Sequence, residues 1–75
     1  MTPQDEAYEQ ICMYLGKRLP FRSCFEYDRV FAFQVRPGQR LCVVKDSQKV
    51  MWEDDLPDDL YPEDAGKQIP LWDHL

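Results

Sequence analysis

The chain has no apolar run near the roughly 20 residues needed to cross a bilayer. Its first residues, Met1-Thr2-Pro3-Gln4-Asp5-Glu6, lack the basic and then apolar layout of a secretory leader. These absences predict a cytoplasmic protein with no membrane partner. Histidine is reduced to His74, and the three cysteines, Cys12, Cys24 and Cys42, are widely spaced and contain no C-x-x-C pair. Structural zinc is not expected from such a set, and no other cofactor is implied. A cysteine nucleophile needs a base held beside it, and His74 lies next to the end of the sequence, where side chains are poorly held unless docked. No catalytic residue is therefore assigned, and a non-enzymatic protein is expected. Each cysteine stands where an apolar residue would fit, which predicts reduced, structurally passive thiols.

What is present is a composition that folds. Of the 75 residues, 44% are apolar and 13% aromatic, more than a disordered chain of similar charge would carry. A chain of this length makes one small domain with a limited core. Its charge is divided unevenly. Residues 1–51 hold six acids against eight bases, a net of +2, whereas the remainder holds eight acids against Lys67 alone, a net of −7. A mildly basic body is followed by a strongly acidic segment.

The first element is a helix with clear punctuation: Thr2 suits the N-cap, Pro3 the first turn, Asp5 a capping box, and Gly16 the stop. Ala7, Ile11 and Leu15 fall at i, i+4 and i+8, so one stripe is apolar. After Leu19-Pro20 a β-rich stretch runs to Trp52. Phe25, Tyr27, Phe31, Phe33 and Val35 share one parity and are expected on one face. Arg29 breaks the alternation, so Asp28-Arg29 is either a turn between two short strands or a bulge in a long one. Pro37-Gly38 supplies a tight turn before Leu41-Cys42-Val43-Val44, and Asp46-Ser47-Gln48-Lys49 a polar turn before Val50-Met51-Trp52. The pattern predicts an α+β fold, with the N-terminal helix packed on a three- to four-stranded antiparallel meander sheet. Ala7, Ile11 and Leu15 should meet Phe31, Phe33, Val35, Leu41 and Val43.

Residues 1–53 are expected to form this helix-on-sheet domain, and residues 54–75 an irregular, acidic, proline-containing segment that is at least partly docked. Pro57, Pro62 and Pro70 forbid a long helix there, yet Leu56, Leu60, Tyr61, Ile69, Leu71 and Trp72 are too apolar for a mere solvated linker. At least Trp52–Tyr61 should lie against the body through apolar side chains, with the acids outward. Asp54-Asp55 with Asp58-Asp59 invites a cation-site reading, but a calcium loop alternates its ligands and needs a glycine at its sharp turn, and neither is present. No metal site is assigned. These acids read as charge, and Asp54, Asp55, Asp58, Asp59, Tyr61 and Trp72 are the expected partner-binding residues.

Arg22, Arg29, Arg36, Arg40, Lys45 and Lys49, interleaved with aromatics, have the composition of a nucleic-acid-binding sheet. A net charge of −5 opposes approach to phosphate, so direct nucleic-acid binding is not expected. The same bases could meet the acidic segment instead. The order of helix, aromatic strand, turn and Leu41-Cys42-Val43-Val44-Lys45-Asp46 hairpin over residues 4 to 52 resembles small bacterial PepSY-like and immunity-protein-like domains. Their last hairpin usually carries a Thr-Gly-like turn, and Ser47-Gln48-Lys49 lacks its glycine. The resemblance implies an inhibitory or partner-binding role and no catalytic residues. A small protein-interaction module of immunity, inhibitor or phage-accessory type is expected, binding another protein or a second copy as a homodimer. The alternative is an acidic nucleic-acid mimic that blocks a DNA- or RNA-binding protein.

Overall fold

The punctuation around the first helix does what its chemistry requires. The Thr2 side chain accepts from the Asp5 N–H, Pro3 opens the first turn, and α1 spans Pro3–Leu15. Gly16 ends it in the left-handed region at φ 73°, with its N–H donating to the Cys12 carbonyl, a conformation that costs a residue with a Cβ more than it costs glycine. A computed structural model describes residues 2–63 and 65–71 of the chain.

The strands that follow are β1 (Ser23–Glu26), β2 (Val30–Arg36), β3 (Gln39–Val44), β4 (Val50–Trp52) and β5 (Lys67–Pro70), with a single 3-10 turn, η1 (Glu53–Asp55), after β4. They form one antiparallel sheet in the order β4-β3-β2-β1-β5. The α+β class and the helix-on-meander arrangement hold, and the sheet has one strand more than the three or four expected. β5 comes from the segment read as irregular. It pairs with β1 from Ser23↔Pro70 to Glu26↔Lys67. An edge position tolerates a proline that a central strand would not, so Pro70 hid a strand that its neighbours make.

α1 covers one face of the sheet. Ala7, Tyr8, Ile11 and Cys12 pack with Cys24, Phe31, Phe33, Leu41, Val43 and Leu71, and Leu15, Val35, Val50 and Trp52 join at the margin. This is the helix–sheet contact that the two apolar patterns require. The expected common face of the aromatics is corrected by the register. Asp28-Arg29 lies in a turn, and β1 meets β2 with Phe25 opposite Ala32 and Glu26 opposite Phe31. Cross-strand partners share a face, so Phe25 turns away from the helix while Phe31 and Phe33 turn toward it. Parity counted along the sequence fails because a hairpin resets it.

The second face has its own apolar cluster, made of Tyr27, Val30, Ala32, Cys42 and Val44 with Phe25 and Met51 beside them. Leu56, 7% exposed, and the partly buried Leu60 pack into the same cluster. β4 and β5 lie at opposite edges, and the described residues between them, 53–63 and 65–66, cross this face through Leu56, Leu60 and Gly66. We call these residues the strap. At its far end Gly66 runs against the Tyr27 ring, so close that a Cβ there would lie 2.5 Å from Cε1.

Candidate functional site

The strap is held at both ends and in the middle by different chemistry. At its start the Glu53 carboxylate accepts from the Arg40 guanidinium, which also donates to the Tyr27 hydroxyl at 2.6 Å. The same guanidinium lies over the Tyr27 ring at 5.2 Å and the Phe25 ring at 5.9 Å, within the range where an aromatic face attracts a cation. Burial alone would lower the Arg40 pKa. The hydrogen bonds to Glu53 and Tyr27 outweigh it and hold the pKa above its ordinary value, so Arg40 is a fixed positive charge. In the middle, Leu56 fills the apolar cluster. Beyond it, Leu60 and Tyr61 donate their N–H groups to the Pro57 carbonyl at 2.9 and 3.0 Å, closing a turn that places Asp58 and Asp59 at its exposed bend.

This construction turns the acids out. Asp54, Asp55, Asp58 and Asp59 are all exposed, and Tyr61 is 46% exposed. Tyr61 is a correction: its ring was expected against the body, but the Pro57 turn carries it to the surface. The four aspartates divide between two open clefts. Asp54 and Asp55 line one of about 260 Å³ with Trp52, Glu53 and Arg40. Asp58, Asp59 and Tyr61 line the other, of about 340 Å³, with Tyr27, Asp28, Arg29 and Glu63. Trp72 lies outside the described residues. Among those described, no group of three or more His, Cys, Asp or Glu side chains is placed to hold a metal ion.

Sequence reasoning missed Asp28, Arg29 and Glu63 as neighbours of Asp58-Asp59, because they meet only once the strap has crossed the sheet. The break in alternation at Asp28-Arg29 was the one local sign that this turn departs from a plain strand. Other bases are committed elsewhere. Arg18 makes a paired contact with Glu9 at 3.1 Å, and Lys45 donates to Glu26 at 2.8 Å while lying 4.9 Å from the Phe31 ring.

The three cysteines are free and buried. Burial, reinforced by Glu26 and Asp5, pushes the Cys24 thiol up to about 12. Burial with Glu53 does the same for Cys42, to about 12, against a smaller opposing pull from Arg40. Both stay protonated at neutral pH, and the thiol is the poor nucleophile of the pair. No helix among the described residues is long and apolar enough to cross a membrane. No family model, curated protein or solved structure matches the chain.

Proposed function

We propose that the domain acts by binding another protein through the outer surface of the strap, with no chemistry of its own. One observation carries this reading: the strap buries Leu56 and partly buries Leu60 while presenting Asp54, Asp55, Asp58, Asp59 and the Tyr61 ring to solvent. Carboxylates around an exposed tyrosine suit a basic protein surface, since charge steers the encounter and an aromatic supplies contact area at small entropic cost. Protonated, buried thiols offer no ready nucleophile. The role fits an immunity, inhibitor or phage-accessory protein, the kind implied by the helix-plus-sheet resemblance. Three unpaired thiols support the cytoplasm as its setting.

The test uses two baits in a lysate of the encoding cell: the intact chain, and a variant with Asp54, Asp55, Asp58 and Asp59 all changed to Asn. A partner retained by the first is then purified, and its affinity for each bait is measured over a salt series. The variant should fold, as read by circular dichroism, and bind at least about tenfold more weakly, a loss of roughly 1.4 kcal/mol or more. Wild-type binding should weaken as salt rises. Equal affinity of a folded variant would remove the strap from the interface. If the partner binds nucleic acid and DNA or RNA displaces the domain, the strap's carboxylates act in place of phosphates, which is the mimic reading.

A further inference from the structure

The two edges of the sheet differ in kind. β5 begins at Lys67 and ends at Pro70, a charge and a missing N–H of the sort that keeps an edge strand from pairing with another chain. β4 carries neither, consisting of Val50, Met51 and Trp52. The direction of its backbone groups follows from the ladder. The Val44 N–H donates to the Lys49 carbonyl at 2.9 Å, and the register continues through Val43↔Val50, Cys42↔Met51 and Leu41↔Trp52. Antiparallel ladders alternate hydrogen-bonded and non-hydrogen-bonded pairs. Met51 therefore turns its N–H and C=O toward Cys42, while Val50 and Trp52 turn theirs to the open edge.

We propose that this edge pairs with the same edge of a second copy, antiparallel about a twofold axis at Met51, so that the two sheets become one. About that axis Val50 stands opposite Trp52 of the second copy, and both have their backbone groups facing outward. The Trp52 N–H donates to the Val50 carbonyl across the axis. The Val50 N–H donates to the carbonyl of Trp52, the N-cap residue of η1, and a carbonyl has two lone pairs to offer. Symmetry repeats both bonds. A β-branched residue opposite an aromatic is a favourable cross-strand pair, and Met51 meets its own counterpart at the close, non-hydrogen-bonded position.

Charge selects this register. One residue further out, the exposed Lys49 stands beside the start of the second copy's η1, where Glu53 is tied to its own Arg40 and Asp54 and Asp55 are exposed. A parallel pairing would set Lys49 against Lys49 and Glu53 against Glu53. A slip by one residue would turn every side chain of the added strand to the other face. An isologous contact of this kind closes on itself as a dimer and does not propagate. Three residues per copy bury little surface, so the dimer is weak and depends on concentration.

Sedimentation velocity over a dilution series should show exchange between monomer and dimer, and added salt should shift it toward monomer. Lys49→Glu, which places a carboxylate beside the acids of the second copy's η1, should raise the dissociation constant at least about tenfold with circular dichroism unchanged. Val50→Pro removes one outward N–H, which an edge strand tolerates, and should also weaken the dimer. Amide exchange gives a readout that no other dimer would share. The Trp52 N–H should become more protected as concentration rises, whereas the Met51 N–H, already bonded to β3, should not. A single monomeric mass at every concentration, a dimer unaffected by Lys49→Glu, or new protection confined to β5 or α1 would each overturn the proposal.

Discussion

Gly66 shows what a single residue can carry without advertising it. Its φ is 72°, and the space a Cβ would need is already filled by the Tyr27 ring. Gly16 and Gly38 have similar backbone angles, but nothing lies within 4 Å of a Cβ at either. The left-handed backbone alone costs an L residue about 1–2 kcal/mol, so alanine at Gly16 or Gly38 should lose about that much. Gly66→Ala adds the clash and should lose more. Denaturant unfolding of the three variants in parallel tests the order; equal losses would mean that the strap does not press on Tyr27. The sequence around Gly66 gives no hint of this, because the constraint comes from a side chain far earlier in the chain. The exposed Asp54, Asp55, Asp58 and Asp59 were legible, since acid pairs separated only by Leu56-Pro57 have few other ways to lie on a surface.

Elements were legible in proportion to how locally they are specified. α1 has its start, stop and apolar stripe written within its own residues, and its bounds follow from them. The stripe is not uniform: Ile11 is fully buried, whereas Leu15 sits at the margin of the same cluster. Ile11→Ala should therefore cost about 2–5 kcal/mol, and Leu15→Ala distinctly less. Matched melting curves of the two variants check this, and a larger loss at Leu15 would contradict the helix seating. β1 was left open between a separate strand and part of one bulged strand, and its facing was misread because only pairing with β2 decides which side Phe25 takes. β5 was missed altogether. Lys67-Gln68-Ile69-Pro70 has no alternation to betray a strand, and it exists because β1 offers an edge.

At the scale of the whole molecule, residues beyond Glu53 contribute to both apolar clusters. Leu71, fully buried, packs under α1 with Phe33 and Leu41, and its N–H donates to the Arg22 carbonyl at 3.0 Å. Leu56 packs on the opposite face with Val30 and Val44. Gln4, in the first turn of α1, also donates to the Pro70 carbonyl at 3.5 Å. Emptying a buried leucine site costs about 2–5 kcal/mol, and a domain of this size has roughly 5 kcal/mol of stability in all. Removing two such side chains together with an edge strand therefore exceeds what the remaining contacts supply. Truncation after Glu53 should abolish the cooperative melt and cause aggregation, through the uncovered cluster and the exposed edge of β1. Ion pairs cannot make up the difference, because partly exposed surface pairs such as Lys45–Glu26 contribute about 0–1 kcal/mol. For the same reason the intact chain should keep its melting temperature nearly constant as salt rises, since burial rather than charge holds the strap down. Calorimetry of the intact and truncated chains at low and high ionic strength tests both statements. A truncated chain that melts cooperatively near the intact temperature, or an intact chain whose strap amides lose protection in salt, would show that the C-terminal third is held by charge and is separable from the fold.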